Sequence, residues 1–393
     1  MTYDFDTVID RRGTGSVKWD LVDARFGTDG ALPMWVADMD FRSPAPVVEA
    51  LKKTAEHGFF GYATMLPAYY EAVIAWMKKR HGWSVQRDWI CFSPGVVPAL
   101  NLIVKAFTEP GDQVIVQSPV YHPFFALIER NGRRVLDNPL QLSNGRYQMD
   151  LSDLESKLTA RARIMLLCSP HNPVGRVWSE QELKDLADLC LRHGLLVIAD
   201  EIHHDLVYPG HAHTVFPTVR EGLERCTIVC TAASKTFNLP GLHTSNVIIP
   251  EHRLRERFGE AAMRDKLGSP NPFGTAATEA AYRHGEQWLE EVLCYLSGNL
   301  DFVNRAAARV PGLKVIQPEG TYLVWLDLRQ TGIPRGRLAD FLCTEAKVAV
   351  EAGRHFGAKE DGFVRMNIAC PRATLAEAWL RIERAVARPA SSS

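Results

Sequence analysis

The 393-residue chain sets 45 Lys and Arg against 46 Asp and Glu, a formal net charge of −1, and is 46% hydrophobic and 23% charged. So even a balance offers no field for nucleic acid or an anionic membrane, and the composition is that of a globular protein able to bury large cores. No stretch approaches the roughly 18 uninterrupted apolar residues of a membrane span, and the acidic start Met1-Thr2-Tyr3-Asp4-Phe5-Asp6 is unlike a signal peptide, so a cytoplasmic protein is expected.

Eight cysteines are scattered from Cys91 to Cys370 without a CxxC pair. Cys168, Cys190 and Cys230 lie inside apolar runs, which favours free buried thiols over disulfides or zinc, and no metal site is expected.

Residues 1–45 read as an irregular arm that contains Arg11-Arg12-Gly13-Thr14-Gly15-Ser16-Val17-Lys18-Trp19-Asp20 and Trp35-Val36-Ala37-Asp38-Met39-Asp40-Phe41. The Gly13/Gly15 pair lacks the preceding strand and third glycine of a dinucleotide fingerprint, which argues against a nicotinamide-dependent dehydrogenase. Ser43-Pro44-Ala45-Pro46 starts a helix with Val47, Val48, Leu51 and Ala55 as its apolar stripe, and Pro67 opens a second helix to Arg80 with Tyr70, Val73, Ile74 and Met77 inward.

From Trp89 the pattern becomes strand, turn, helix and repeats. Ile90-Cys91-Phe92 is a short strand, Gly95 a turn, and Pro98 suits the first turn of a helix to Phe107. Val114–Val116, Ile164–Cys168, Leu195–Ala199 and Thr227–Cys230 are near-continuous apolar runs, as in strands covered on both faces. Ser179 and Glu182 form a capping box ahead of an amphipathic helix to about Arg192. The alternation argues for a mostly parallel α/β sheet with right-handed crossovers. After about residue 285 the style changes to a long helix from Trp288 to about Arg309. Short strands follow near 313–316, 321–328, 347–350 and 364–368, with a closing helix at 375–387, suggesting a smaller α+β domain. The expected division is an arm at 1–45 shared with the small domain, a large domain at 46–285 and a small domain at 286–393, with a disordered tail at 388–393.

Four polar positions stand just past strands on one sheet edge, where open α/β sheets place ligands. Ser93-Pro94-Gly95-Val96-Val97-Pro98 makes a strand-to-helix turn suited to phosphate. Asn172 lies in Ser169-Pro170-His171-Asn172-Pro173, and Asp200 ends a buried strand where a carboxylate is costly unless it meets positive charge. Lys235 follows a strand among small and apolar residues, so desolvation should lower its pKa and make it a nucleophile towards carbonyls. Pyridoxal phosphate needs such a set: a carbonyl-binding lysine, a carboxylate for the pyridine nitrogen, a donor to the ring oxygen and a phosphate anchor.

With these motifs the chain resembles a fold-type I pyridoxal-phosphate enzyme of the aspartate aminotransferase superfamily from about Trp35 to the last helix. More narrowly it resembles the cystathionine β-lyase/cysteine C–S lyase branch of MalY- and PatB-type proteins. The narrower match rests on the two arm motifs, on Asp200-Glu201-Ile202-His203 and Ser234-Lys235-Thr236-Phe237-Asn238, and on Phe363-Val364-Arg365-Met366-Asn367-Ile368-Ala369-Cys370-Pro371-Arg372. The resemblance implies a large domain built on a mostly parallel seven-stranded sheet flanked by helices. It implies that Lys235 holds the cofactor covalently and later moves the Cα proton, that Asp200 pairs with the pyridinium nitrogen, and that Asn172 donates to the ring oxygen. Tyr121 stacks on the ring, and Gly95, Val96, Val97 and Ser234 hold the phosphate. Tyr62 reaches the phosphate of the other subunit of a homodimer with shared sites. Arg365 clamps the substrate α-carboxylate, beside Ala37.

Three positions depart from the wider aminotransferase pattern: His243 stands where a phosphate-binding arginine is usual, Ala232 replaces a frequent serine, and His203 replaces a tyrosine near the ring oxygen. The lyase branch commonly shares the lack of that arginine and the Asp-x-x-His pattern. The implied reaction is α,β-elimination of L-cystathionine and S-substituted L-cysteines to thiol, pyruvate and ammonia. The alternative is a class I/II aminotransferase with an amino-acid donor and a keto-acid acceptor. A regulatory role through a protein partner is a further reading, since some members of this branch bind a transcriptional activator.

Overall fold

The structure, a computed structural model, describes residues 2–357 and 359–387, so the tail expected at 388–393 lies outside them. The arm is more ordered than expected. It holds two short helices, α1 (Val17–Asp20) and α2 (Val22–Phe26), and a two-residue strand, β1 (Leu32–Pro33). Two helices follow, α3 (Ala45–Glu56) and α4 (Pro67–His81), the second ended by Gly82 in the left-handed conformation at φ 66° that glycine adopts without strain.

The expected stripes of these helices need correction. On α3 only Val47 is buried, while Val48 and Ala55 are exposed, because α3 lies against a single neighbouring helix, α11 (Pro272–His284). On α4 the buried face is Tyr69, Ala72, Val73, Trp76 and Met77, with Tyr70 and Ile74 at its margin. Trp76 stacks against Tyr282 of α11, and this pairing turns the helix from the expected face.

The large sheet is built from β2 (Ile90–Ser93), β3 (Gln113–Val116), β4 (Arg134–Asp137), β7 (Ala162–Cys168), β8 (Leu196–Asp200), β9 (Thr227–Thr231) and β10 (Ser245–Ile248). A surface hairpin, β5 (Gln141–Ser143) and β6 (Arg146–Gln148), stands between β4 and β7. The sheet order is β2-β10-β9-β8-β7-β3-β4, and β10 alone runs against its neighbours. Ile164, Leu167, Val197, Ile198, Ile228 and Val229 are fully buried, as expected where helices cover both faces. Those helices include α5 (Val96–Phe107), α6 (Pro123–Arg130), α7 (Leu151–Lys157), α8 (Glu180–Arg192) and α10 (His252–Arg264), and α8 opens on the Ser179/Glu182 capping box. A four-residue helix, α9 (Ala233–Thr236), carries Lys235 directly after β9.

Helix α12 (Glu286–Ala307) leads to an antiparallel sheet of order β11-β12-β15-β14. Its strands are β11 (Lys314–Ile316), β12 (Leu323–Asp327), β14 (Glu351–Ala352) and β15 (Phe363–Asn367). Helices α13 (Leu338–Thr344) and α14 (Arg372–Ala387) flank it. The strand expected at 347–350 is split: β13 (Val348–Ala349) pairs in parallel with β1 of the arm, and only β14 joins the sheet. All eight cysteines are free. Among the described residues no helix is long and apolar enough to cross a membrane.

Candidate active site

The parallel strands end in register, which brings their last residues to one rim: Asp200 lies opposite Cys168 of β7 and Cys230 of β9. The apolar strand carries the Asp200 carboxylate into the interior, where it is 4% exposed and accepts from the Ile202 N–H at 3.2 Å. Burial pushes its pKa up to about 7, the response of a carboxylate without a cation at contact. One strand over, Lys235 is brought to the same rim by the tight β9–α9 turn. Burial pulls its amine down to about 8 against the opposing pull of Asp38, and Nζ donates to the Ala37 carbonyl at 2.6 Å.

Arg365 approaches from the other sheet. It sits mid-strand in β15 between Trp325 and Glu351, 3% exposed, with its guanidinium over the Phe356 ring. Nη1 donates to Asn172 Oδ1 at 3.0 Å and Nη2 to the Trp35 carbonyl at 2.9 Å, while Nε has no protein partner. Because Asn172 accepts through its oxygen, its amide nitrogen is left to donate into the cavity.

The arm motif Trp35–Phe41 owes its place to its backbone. Its carbonyls are taken up one after another by side chains from distant elements. Arg365 takes Trp35, Asn367 takes Val36 and Asp38, Lys235 and Tyr322 take Ala37, and Asn238 takes Met39 and Phe41. Asn238 also accepts from the Met39 N–H at 2.9 Å, which accounts for the Asn three residues after the lysine. Beneath this strap, Asp40 accepts from Lys18, Arg11 and Trp19 at 2.7–2.8 Å. Burial opposes its ionisation, yet the Lys18 ammonium and these donors hold it below the usual carboxylate range.

At the other end of the cavity Gly95 adopts φ 152°, where a Cβ would stand 3.3 Å from the Pro98 ring. The turn presents the Val96 and Val97 N–H groups at the start of α5, where no helical carbonyl takes them. Ser234 and His243 line the same cavity, with His243 at φ 47° and exposed.

The cavity measures about 520 Å³ and gathers Ala37, Gly95, Val96, Val97, Tyr121, Asn172, Asp200, His203, Ser234, Lys235 and Arg365. All but one of the site residues expected from sequence thus meet in one place. Tyr62 is the exception: it is fully exposed in a strip with Phe59, Phe60 and Leu66 and does not line this cavity. The sequence reading missed Arg25 and Glu351, which line the cavity near Arg365, as does His122 next to Tyr121. An acid between the apolar residues Val348–Val350 and Ala352 was the available signal for Glu351, whereas Arg25 lies in a stretch with no motif. Burial keeps His203 well below its ordinary pKa and pulls His122 down to about 4, so both imidazoles are neutral. His203 Nδ1 is buried without a protein partner.

These residues fit pyridoxal 5′-phosphate. Among the described residues, Asp200, Lys235 and Arg365 are charges around one cavity that no opposite charge contacts. A cationic ring nitrogen, an aldehyde and an amino-acid carboxylate would each find its complement there, and the Gly95 turn would receive the phosphate.

The family profile "Aminotransferase class I and II" matches residues 35–382. The chain is 45% identical to cystathionine beta-lyase PatB of Bacillus subtilis (strain 168), over 97% of this chain and 99% of that protein. The crystal structure of cystalysin from Treponema denticola, which contains a pyridoxal 5′-phosphate cofactor, superposes with a TM-score of 0.95 at 38% identity, covering 98% of this chain and 99% of that one. The PLP-bound C–S lyase from Staphylococcus hominis gives 0.93 at 31% identity, covering 99% of each chain.

Proposed function

Because the chain belongs to the aminotransferase class I and II family, we propose that its cavity cleaves carbon–sulfur bonds by α,β-elimination, turning L-cystathionine and S-substituted L-cysteines into thiol, pyruvate and ammonia. The protein is a pyridoxal-phosphate-dependent C–S β-lyase. The observation that carries this reading is the trio of buried, unpaired charges, Asp200, Lys235 and Arg365, around one cavity.

Pyridoxal phosphate, when bound, supplies an electron sink that acidifies the substrate Cα–H bond. Asp200, already short of a cation, would hold the ring nitrogen in its protonated form. Lys235 would hold the cofactor and, with Nζ free and neutral, would take the Cα proton. Arg365 would hold the α-carboxylate through Nε, which has no protein partner, and through the Nη groups that now donate to Asn172 and Trp35, and so fix which Cα bond faces Lys235. Asn172 and His203 would serve the ring oxygen, Tyr121 would stack on the ring, and Gly95, Val96, Val97 and Ser234 would hold the phosphate. The Ala37 carbonyl, which accepts from Lys235 at 2.6 Å, marks where the lysine amine waits on the substrate side.

In this reading residues 46–285 hold the cofactor, and 286–393 with the 1–45 arm hold the substrate carboxylate. Tyr62 and its aromatic neighbours face a second copy, so that a homodimer shares its sites. Eight free thiols fit a reducing cytoplasm.

The test is pyruvate release from L-cystathionine by cofactor-loaded protein with no keto acid added. Steady turnover is expected. Absence of pyruvate, with the cofactor converted to its amine form, would replace the lyase with an aminotransferase.

A further inference from the structure

A second cavity of about 750 Å³, which shares no lining residue with the cofactor cavity, is lined by His81, His204, Asp205, His211 and His213 among others. Asp205 is its centre. The carboxylate is fully buried and accepts from Trp76 Nε1 at 3.1 Å and Thr236 Oγ1 at 2.8 Å, and His81 Nε2 stands 2.9 Å from its Oδ1. His204 Nε2 stands 3.3 Å from its Oδ2.

The protons of His204 decide what this contact is. Its Nδ1 lies 2.5 Å from the Glu201 carbonyl oxygen, an atom that can only accept, so Nδ1 carries a hydrogen. A neutral His204 then points a bare lone pair at the Asp205 carboxylate, and Nε2 is a buried atom without a hydrogen-bond partner. A proton or a metal ion would each bridge the pair, and a second imidazole, His81, brings a third donor atom to the same carboxylate. Two electron-rich atoms facing each other in the interior call for a cation.

We propose that His81, His204 and Asp205 bind one divalent transition-metal ion of the zinc class, with its remaining position open to the cavity. The donor atoms of the three residues all lie within 4.8 Å of one another. Donors about 2.0–2.2 Å from a tetrahedral ion stand roughly 3.3 Å apart, and the separations of 2.9 and 3.3 Å already have that scale. Two imidazoles and a carboxylate suit zinc-class ions better than magnesium or calcium. Glu201, through its carbonyl on His204, fixes the tautomer that leaves Nε2 free to ligate. The ligands are drawn from the end of α4 and from the loop after β8, a spacing no short sequence motif would show. The site needs no cofactor, and Thr236, the residue after Lys235, links Asp205 to the lysine turn.

Chelator-treated, cofactor-loaded protein titrated with Co²⁺ and, separately, Zn²⁺ tests this. One equivalent per chain is expected, with visible d–d bands of tetrahedral cobalt and a melting temperature that rises with Zn²⁺ concentration. His204→Ser and His204→Gln should each abolish binding at least tenfold in affinity, whereas His211→Asn and Cys294→Ser, on the rim of the cavity, should leave it unchanged. Should a His204 variant fail to fold by circular dichroism, His81→Gln provides the same test. Binding below one equivalent, or binding that survives both the His204 and His81 changes, would overturn the site. None of these readouts depends on the lyase reaction, so failure here leaves the proposed activity standing.

Discussion

At the scale of single residues, the site stores its chemistry as shifted protonation. The Lys235 amine is drawn down to about 8 from an ordinary 10.5, and only the unprotonated amine attacks an aldehyde. Capture of pyridoxal phosphate by the apoprotein should therefore accelerate about tenfold per pH unit below 8 and level off above it. Stopped-flow absorbance measures this, and a rate still climbing at pH 10 would mean an ordinary lysine. Lys235→Ala should lower pyruvate release by at least about a hundredfold. Asp200 acts in the opposite sense. Its folded pKa of about 7 exceeds the ordinary 3.8, so its cost to the apoprotein is absent below about pH 4, grows as pH rises through the interval and is complete above 7. Apo Asp200→Asn should match its parent near pH 4 and exceed it in stability by on the order of 2 kcal/mol at pH 8. Loaded with cofactor, the same variant should turn over at least about a hundredfold more slowly. Denaturant titration of both forms at the two pH values checks the pairing.

At the scale of elements, placement comes from turns whose backbone has no alternative. Gly175 sits at φ 71°, and a Cβ there would lie 2.5 Å from Pro318 Cβ, while its carbonyl accepts from Glu319 and Gly320. This contact ties the Asn172 loop to the segment before β12. Gly175→Ala should cost more than about 2 kcal/mol and raise KM for the amino acid by displacing Asn172 from Arg365; urea unfolding and steady-state kinetics read the two effects. The strands that end in Cys168, Asp200 and Thr231 were legible as apolar runs, because strands covered on both faces have only one composition available to them. The antiparallel β10, Ser245–Ile248, was not, since its two polar residues hide a strand that is completely buried. The faces of α3 and α4 were misread for a related reason: periodicity shows that a helix has an apolar side, but the neighbour chooses which residues centre it. Arg25 carries no local signal at all and enters the site only because α2 is folded against it.

At the scale of the whole molecule, the strip Phe59, Phe60, Tyr62 and Leu66 is exposed at 62% or more, a large apolar surface for one chain to leave in water. If a second copy covers it and Tyr62 completes the neighbouring site, Tyr62→Ala and Lys235→Ala proteins, each inactive alone, should regain pyruvate release when unfolded together and refolded as a mixture. Paired chains of the two kinds hold one intact site. Separate refolding followed by mixing should not restore it, and a mixture that stays inactive in both cases would confine Tyr62 to packing. The strap of carbonyls from Trp35 to Phe41 has a consequence in time. Trp35 is translated 330 residues before Arg365 and Ala37 198 residues before Lys235, and Leu32 and Pro33 likewise precede the Val348–Ala349 strand they pair with. The strap can therefore close only in stages: Ala37, Met39 and Phe41 can meet Lys235 and Asn238 well before Trp35 and Val36 can meet Arg365 and Asn367.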